Sequence, residues 1–263
     1  YSSAASDVYK RQELFNFFSR KNDPIQLPYL TDVHSHIVPG VDDGSPDVEA
    51  SLFLLDSMAK WGIRQAITTP HVAEGFPNTA EVLDEAMRKL LQELSKTDIP
   101  VKVIRSSENR IDDFFHKQLI SGNIKTFPNN YILVENSFLQ EPWQLDKFLF
   151  DLKVKGYNPI MAHPERFYYY HSVSPERYDQ LHRAGNLFQI NILSLAGAYG
   201  KAEKKAAEKL IEKGYVDFLG TDLHSPLHVE IIDRYLCSKD ARRHFEALSG
   251  KLLNDRLFPI RPL

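Results

Sequence analysis

The feature of the chain that most constrains its fold is a regular alternation of short β-rich runs with amphipathic helical stretches, often with glycine at the junction. Strands are predicted over residues 30–36, 63–69, 101–106, 131–135, 158–162, 187–191 and 216–221. Helices are predicted over residues 45–61, 78–94, 112–121, 143–155, 175–184 and 201–213, with further helical pieces near 228–236 and 240–248. This alternation is typical of a parallel sheet, in a barrel or a doubly wound form.

The first helix illustrates how its ends are predicted. Ser45 can cap the N-terminus, Pro46 suits the first turn, and Asp47 and Glu49 favour the positive end of the helix. Gly62 is a typical helix stop. We therefore expect this helix to open at Ser45 and Pro46.

Composition excludes several classes of protein. The net charge of −3 gives no bulk positive field, so neither nucleic acid nor an anionic lipid surface is an expected partner. The single cysteine, Cys237, excludes a disulfide within the chain and a cysteine-rich zinc site. No run approaches the roughly 18 apolar residues of a membrane span, so we expect no membrane insertion.

The N-terminal segment differs from the rest of the chain. Residues 1–20, which begin YSSAASDVYKRQ, lack the apolar core of a secretory signal, and we expect them to be extraneous or disordered. Residues 21–263 contain no Gly/Ser-rich linker, so we expect one domain there. A cytoplasmic location is expected, and the sequence does not predict an oligomeric state.

Polar side chains gather where the predicted strands end. In chain order they are His34, His36, His71, Glu108, Glu135, His163, Asn191, Asp222 and His224, and Asp43 follows just past the first strand. In both barrels and doubly wound sheets, functional groups collect at the carboxyl ends of the strands. We therefore expect these side chains to meet in space.

The residue types at this edge predict a metal site. Residues two apart in a strand point to the same side, which suits both the H-x-H at His34 and the D-x-H at Asp222. Imidazole and carboxylate without thiolate suit Mn²⁺, Zn²⁺ or Fe²⁺. Excluding Asn191, the candidates outnumber the roughly four to six ligands of one ion, so two or three ions sharing carboxylates are expected. Metal ions about 3.5–4 Å apart commonly cleave phosphate esters.

Single motifs are weaker evidence. A lone strand-end histidine is more often a surface or hydrogen-bonded residue. Asp42 is predicted to be structural, since Asp-Gly clusters make turns, and Asp32 stays open as a residue that could orient a ligand. The C-x5-R spacing from Cys237 to Arg243 matches cysteine-dependent phosphatases, but it lacks glycine and joins two helical patterns, which favours coincidence.

Several segments together resemble the polymerase-and-histidinol-phosphatase (PHP) superfamily: DVHSHIVPGVDDG, TTPHV, SSENRID, LVENS, AHPERF and GTDLH. Within this superfamily, the closer resemblance is to the bacterial manganese-dependent protein-tyrosine phosphatases of capsule biosynthesis, the CpsB/YwqE type, from about residue 30 to residue 250. The resemblance implies a TIM-like, distorted (β/α)7 barrel with mostly parallel strands and a trinuclear metal centre.

The resemblance also implies roles for individual side chains. One metal would be held by His34, His36, Glu108 and Asp222; Glu108 would bridge to a second, completed by Glu135 and His163; the third would use Asp43, His71 and His224. The implied ion is Mn²⁺, with Zn²⁺ and Fe²⁺ as alternatives. Arg166 resembles the arginine that grips the substrate phosphate, a role that suits a planar guanidinium.

One departure from the family pattern surrounds Glu108. Relatives usually carry apolar or aromatic residues after this glutamate, whereas here Asn109 and Arg110 follow it. Arg110 is either a second phosphate contact or a solvated charge, and the sequence favours the latter. The aromatic run Phe167–Tyr170 either lines a pocket for a phenyl ring or serves packing.

The implied activity is hydrolysis of phosphotyrosine by metal-activated water. The implied partner is a bacterial tyrosine kinase that controls capsular or exopolysaccharide synthesis. A small-molecule phosphatase of the histidinol-phosphatase kind and a non-catalytic phosphotyrosine-binding scaffold stay as alternatives. A PHP nuclease is disfavoured, because no basic stripe is present.

Overall fold

The computed structural model describes residues 23–172 and 176–260. Its strands are β1 (Thr31–Asp32), β2 (Gln65–Thr68), β3 (His71–Val72), β4 (Lys102–Arg105), β5 (Glu108–Arg110), β6 (Tyr131–Glu135), β7 (Asn158–Ala162), β8 (Leu187–Asn191) and β9 (Phe218–Gly220). Its α-helices are α1 (Val48–Lys60), α2 (Ala80–Leu94), α3 (Asp113–Ser121), α4 (Leu145–Val154), α5 (Tyr168–Ser172), α6 (Glu176–Arg183), α7 (Ile192–Ala196), α8 (Lys201–Lys213), α9 (Pro226–Leu236), α10 (Lys239–Leu248) and α11 (Asn254–Leu257).

The described strands form two parallel sheets, with the orders β1-β2-β4 and β3-β5-β6-β7-β8-β9. A short break that includes Pro70, which has no N–H to donate to a ladder, separates β2 from β3. A similar break at Ser106 and Ser107 separates β4 from β5. The strands therefore trace the seven predicted β segments, and the expected α/β fold with mostly parallel strands is confirmed.

The first and last β segments lie side by side, although no continuous ladder between the two sheets is present among the described residues. Ser35 and Leu223 form an isolated parallel bridge, and the Asp222 N–H donates to the His34 carbonyl at 2.8 Å. Gly220 permits this approach, because a Cβ there would lie 2.7 Å from the Cβ of His34. These contacts bring an edge of one sheet beside an edge of the other without closing the expected barrel by a ladder among the described residues.

A separate apolar cluster lies between the strands, beneath their carboxyl ends. Five of the seven β segments contribute its buried residues Val33, Ile67, Leu133, Ile160, Ala162 and Phe218, and Phe127 and Phe258 complete it. The larger core cluster includes buried residues of the surrounding helices, such as Leu54 and Leu210. The inner cluster supports the polar groups above it from below.

Several predicted elements agree with the structure to the residue, including β6, β7, β8 and α8. The predicted opening of the first helix is wrong by two residues. Asp47 is its N-cap, and its carboxylate accepts the Ala50 N–H at 2.8 Å. Ser45 instead stabilises the preceding loop, since its N–H donates to the His36 carbonyl at 2.9 Å.

The sequence pattern missed three short helices, α5, α7 and α11. The predicted segment 1–20 and the predicted helix start at Pro175 lie outside the described residues. Among the helices of the described residues, none combines the length and the apolar character needed to cross a membrane.

Candidate metal centre

The nine residues proposed as metal ligands lie together at the carboxyl ends of the strands, where a cavity of about 400 Å³ opens. Parallel register brings neighbours side by side: His71 of β3 pairs with Glu108 of β5, and Arg110 pairs with Glu135 of β6. His34 and His36 follow β1, and Asp222 and His224 follow β9. The expected convergence of these side chains is therefore observed.

Glu108 lies at the centre of the cluster. Its Oε2 is 3.3 Å from Nε2 of His34, 3.3 Å from Nε2 of His36 and 3.1 Å from Nδ1 of His71. Its Oε1 accepts a hydrogen bond from Nε2 of His163 at 2.9 Å. Oε2 is buried and has no hydrogen-bond partner among the described residues. Both carboxylate oxygens thus face ring nitrogens, as a bridging ligand requires.

Three imidazoles are oriented by hydrogen bonds from Nδ1. This nitrogen donates to Oε1 of Gln189 at 2.7 Å in His34, to Oδ2 of Asp42 at 2.9 Å in His36, and to the Asp222 carbonyl at 2.8 Å in His224. An oxygen acceptor holds a proton on Nδ1, so that in the neutral ring the lone pair lies on Nε2. These nitrogens face the cluster in the form that binds a metal.

Asp42 serves as an orienting carboxylate, as its predicted structural role implies. Besides holding His36, its Oδ2 accepts the His71 N–H at 3.0 Å, and its Oδ1 accepts the Gly44 N–H at 3.0 Å. Two histidines of the cluster are thereby tied to one loop carboxylate.

The two outer carboxylates divide their oxygens between the protein and the cluster. Oδ2 of Asp222 accepts hydrogen bonds from Arg166 at 3.0 Å, Asn191 at 2.6 Å and Tyr199 at 3.1 Å. Oδ1 of Asp222 lies 3.3 Å from Nε2 of His34. One oxygen of Asp222 therefore faces a ring nitrogen, while the other is held by three donors from outside the cluster.

Glu135 repeats this arrangement on the other side. Its Oε2 is bound by Arg110, with Nε and Nη2 both at 2.9 Å, while Oε1 lies 3.6 Å from Nε2 of His163. The expectation that Arg110 is merely solvated is therefore wrong. Its guanidinium lies 5.9 Å from the centre of the Phe138 ring and lines the cavity.

Asp43, His71 and His224 form the outer rim of the cluster. Oδ1 of Asp43 lies 3.5 Å from Nε2 of His71 and 3.6 Å from Nε2 of His224. The Asp43 side chain is 57% exposed, whereas the two imidazoles are mostly buried. This part of the cluster therefore faces the mouth of the cavity.

The charges of the buried groups oppose one another. Burial lowers the pKa of His34, but the carboxylates of Glu108 and Asp222 outweigh it and raise the pKa to about 9. Burial and the charge of Arg166 lower the pKa of His163 to about 4. Burial and the nearby charge of Glu108 raise the pKa of Glu135. Buried groups of this kind are costly unless cations or hydrogen bonds compensate them.

The donor set therefore fits divalent cations. It combines imidazole nitrogens with carboxylate oxygens, contains no thiolate, and leaves the central oxygen of Glu108 without a hydrogen bond. Four overlapping groups have ligand atoms within 4.8 Å of one another: His36-Asp43-His71-His224, His34-His163-Asp222, His34-His36-Glu108 and His71-Glu108-Glu135. These groups overlap the implied sets without reproducing them, so the division of ligands among three metals stays a prediction.

Two residues of the cluster adopt left-handed backbone conformations that favour glycine. His163 has φ of 32°, and Asp222 has φ of 50°. Such residues cost on the order of 1–3 kcal/mol each and persist where the surroundings fix them. Both lie where a strand ends and the chain turns back across the cavity.

Arg166 projects into the cavity from the turn Pro164–Arg166. Its Nη1 donates to Asp222, and its guanidinium lies 4.0 Å from the Tyr199 ring centre and 4.9 Å from that of Phe138. Its side chain keeps 23% exposure. A cation held at a cavity wall beside these candidate metal ligands suits an anionic ligand.

Sequence reasoning missed several residues at the site. Phe138 and Tyr199 lie in loops after β6 and α7, where no periodic pattern identifies them. Phe76, which stacks on His71 with ring centres 5.3 Å apart, also lies in a loop. Gln189 carried a usable signal, since it lies two positions before Asn191 and shares its side of β8.

The aromatic run Phe167–Tyr170 serves packing rather than the cavity. Phe167 is buried against His163, with ring centres 5.7 Å apart. The hydroxyls of Tyr168 and Tyr169 donate to the carbonyls of Leu139 and Ser137 at 3.0 and 2.9 Å. The run thereby stabilises the loop that carries Phe138.

The remaining candidates have structural environments. Asp32 accepts both the N–H and the hydroxyl of Thr221, at 2.9 and 3.0 Å, and so ties the first β segment to the last. Cys237 caps α9 and Arg243 lies within α10, where it pairs with Glu208 at 2.9 Å. This geometry has no phosphate-binding loop, so the C-x5-R spacing is a coincidence, as expected.

Comparisons with known proteins agree with the recognised resemblance. A family model described as capsular polysaccharide synthesis, CpsB/CapC, matches residues 30–231. The chain is 35% identical over 202 residues to the tyrosine-protein phosphatase YwqE of Bacillus subtilis (strain 168), covering 74% of this chain and 78% of that protein. It is 26% identical over 246 residues to the tyrosine-protein phosphatase CpsB of Streptococcus pneumoniae, covering 87% and 100%.

A solved structure is also similar to the chain. It comes from work on YwqE from Bacillus subtilis and CpsB from Streptococcus pneumoniae, described as unique metal-dependent tyrosine phosphatases. The match has a TM-score of 0.71 at 28% identity and covers 88% of this chain and 100% of that one.

Proposed function

This chain belongs to the CpsB/CapC family of capsular polysaccharide synthesis, and on that premise we propose that it is a metal-dependent protein-tyrosine phosphatase. Its reaction would be hydrolysis of a phosphotyrosine ester to tyrosine and inorganic phosphate. The chemistry depends on bound metal rather than on a cysteine nucleophile.

The observation that carries this proposal is the environment of Glu108. Its buried carboxylate lies 2.9–3.3 Å from nitrogens of four imidazoles, three of them near Oε2 and one near Oε1. Among the described residues, Oε2 has no hydrogen-bond partner. Such a carboxylate suits a ligand shared between cations. His34, His36 and Asp222 on one side, and Glu135 and His163 on the other, would complete the coordination. Asp43, His71 and His224 would hold a further ion at the rim.

The proposed ions are Mn²⁺, two or three in number, with Zn²⁺ and Fe²⁺ as alternatives that the same ligands accept. When bound, such ions supply positive charge for phosphate oxygens and lower the pKa of water. The protein contributes imidazoles whose Nδ1 protons are fixed, so that each Nε2 is available as a ligand.

Arg166 is the proposed phosphate-binding residue. Within the described part of the chain, Nη1 is the Arg166 nitrogen that donates a hydrogen bond, to Asp222, which leaves the other nitrogens available for the phosphate oxygens. Its charge would stabilise the negative charge that develops in the transition state. Phe76, Phe138 and Tyr199 supply apolar walls for a phenyl ring in the same cavity.

The proposed physiological substrate is a tyrosine-phosphorylated protein, in particular a bacterial tyrosine kinase that regulates capsular or exopolysaccharide synthesis. A cytoplasmic location would place the enzyme beside the cytoplasmic tail of such a kinase. We also propose that residues 21–263 act as a single phosphoesterase domain.

The proposal is tested by phosphate release from a phosphotyrosine peptide after chelation and after return of Mn²⁺. We expect activity to disappear on chelation and to recover with Mn²⁺. Phosphoserine peptide and histidinol phosphate serve as matched substrates, and both are expected to be poorer. Faster turnover of histidinol phosphate would identify a small-molecule phosphatase, and peptide binding without turnover would identify a scaffold.

A further inference from the structure

Tyr199 lies in a short turn between α7 and α8 that holds it at the cavity. The turn is closed by the Gly197 N–H donating to the Ser194 carbonyl at 2.9 Å and by the Ala198 N–H donating to the Leu193 carbonyl at 2.9 Å. Both glycines of the turn have positive φ, 82° at Gly197 and 133° at Gly200, which favours glycine. The tyrosine is thus fixed by backbone geometry.

The Tyr199 ring is the closest aromatic contact that Arg166 makes. The Cζ of Arg166 lies 4.0 Å from the Tyr199 ring centre, against 4.9 Å from that of Phe138. A cation over a ring face within about 6 Å is attracted electrostatically, more strongly when partly buried. Among the described residues, the guanidinium donates one hydrogen bond, from Nη1 to Asp222, so the two rings contribute to its orientation.

The Tyr199 hydroxyl contacts a different part of the site. It donates to Oδ2 of Asp222 at 3.1 Å, beside the donors from Arg166 and Asn191. With Oδ2 occupied, Oδ1 is the Asp222 oxygen that remains facing the imidazoles. One side chain therefore contacts both the arginine and the carboxylate.

We propose that Tyr199 is a positioning residue that couples the two functions of the site: its ring, together with Phe138, orients Arg166 toward phosphate, and its hydroxyl orients Asp222 toward the cations. This inference rests on the proposed function, since it takes Arg166 as the phosphate contact. If the proposal is correct, loss of the ring should weaken phosphate binding, and loss of the hydroxyl should weaken Mn²⁺ binding.

The test compares Tyr199→Phe with Tyr199→Leu in the Mn²⁺-loaded protein. Inorganic phosphate is the probe, measured as a competitive inhibitor, alongside KM and kcat for a phosphotyrosine peptide and Mn²⁺ affinity by calorimetry. We expect Tyr199→Leu to weaken phosphate inhibition and to raise KM by about 3- to 30-fold, the range of a cation–π contact. Tyr199→Phe should stay within about threefold in phosphate inhibition, because it keeps the ring.

The hydroxyl has its own readout. Tyr199→Phe and Tyr199→Leu should weaken Mn²⁺ binding to a similar extent, because both remove the donor to Asp222. Phe138→Leu, on a separate loop, should weaken phosphate inhibition when measured at saturating Mn²⁺, a condition needed because the Phe138 ring also stacks on His163 with ring centres 5.8 Å apart. It keeps the ring half of the proposal testable if Tyr199→Leu does not fold.

Tyr215→Leu is the matched control. It removes a ring that lies 5.5 Å from Nζ of Lys213, away from the cavity, and should leave phosphate inhibition unchanged. Equal phosphate inhibition in wild type, Tyr199→Leu and Phe138→Leu would overturn the ring's role. Loss of phosphate inhibition in Tyr199→Phe as large as in Tyr199→Leu would also overturn it. A wild-type protein without Mn²⁺-dependent turnover would instead reject the proposed function.

Discussion

Each of the two sides of the candidate metal centre has a carboxylate bound by an arginine, and the sides differ in how many donors hold that carboxylate. On one side Arg166 binds Asp222, and on the other Arg110 binds Glu135, with the Phe138 ring in contact with both guanidiniums. Asp222 has two further donors, Asn191 and Tyr199. On the other side, Glu135 accepts hydrogen bonds from Arg110 alone among the described residues.

The pKa values of these two carboxylates shift in opposite directions. Burial opposes ionisation of Asp222, but the nearby His34, His224 and Arg166 outweigh it and hold its pKa well below the usual range. Burial and Glu108 raise the pKa of Glu135, and Arg110 only partly offsets them. The Asp222 side is therefore preorganised by the protein, whereas the Glu135 side depends more on its arginine and on bound cations.

The largest effect is expected from Asp222→Asn, which breaks the preorganised side. Metal-ion catalysis supplies several kcal/mol of transition-state stabilisation, so kcat/KM should fall by about 10³-fold or more. The measurement is phosphate release from a phosphotyrosine peptide in Mn²⁺, with circular dichroism to show that the variant folds. A folded Asp222→Asn protein with wild-type kcat/KM would contradict the account.

The next effect is expected from Arg166→Lys. Lysine keeps the charge but cannot form the planar, bidentate contact, so KM should rise by about 10- to 100-fold, the range of charge-assisted hydrogen bonds. Because Arg166 also donates to Asp222, steady-state kinetics are measured at saturating Mn²⁺, and metal analysis confirms that the variant is loaded. Arg110→Lys is the comparison, and a KM effect as large as that of Arg166→Lys would assign Arg110 to the phosphate as well.

A smaller effect is expected from Arg110→Gln, on stability rather than chemistry. Removing Arg110 leaves the buried Glu135 without its partner. Because Arg110 is 35% exposed, we expect the free energy of unfolding of the metal-free protein to fall by only about 1–2 kcal/mol. Urea unfolding measures it. Arg88→Gln is the matched control, because Arg88 forms a similar fork with Glu85 on an exposed helix face and should cost less than about 0.5 kcal/mol. Equal losses in the two variants would contradict the proposed role of Arg110.

The smallest effect is expected from Cys237→Ser. Cys237 caps a helix away from the cavity, so kcat/KM should stay within about twofold of wild type, the scale of an ordinary surface substitution. Thiol alkylation of the wild-type protein provides an independent check. Loss of activity after Cys237→Ser or after thiol alkylation would instead support cysteine-based catalysis.

The sequence predicted the part of the site that repeats with the fold. His34, His36, Asp222 and His224 could be found because the two-residue period of a strand and the shared edge of a parallel sheet place them together. Their ring orientations were not predictable, because the acceptors for His34 and His36 come from residues remote in the fold or in a loop, such as Gln189 and Asp42.

Hydrophobic periodicity could not predict the loop residues of the site. Phe138 and Tyr199 reach the cavity through turns whose geometry depends on tertiary contacts, such as the Tyr169 hydroxyl that holds the Ser137 carbonyl. Arg110 was misjudged for a related reason: its pairing with Glu135 follows from strand register, which the sequence does not state. The left-handed φ angles of His163 and Asp222 likewise could not be predicted from the sequence, because neither residue is a glycine.

The central claim is that Glu108 bridges cations at the rim of the strands. Its most direct test is anomalous diffraction at the manganese edge from crystals grown with Mn²⁺. The account predicts two or three peaks inside the cluster, with at least two at bonding distance from Glu108. Crystals of active protein with no anomalous peak at Glu108, or with manganese bound only elsewhere, would contradict it.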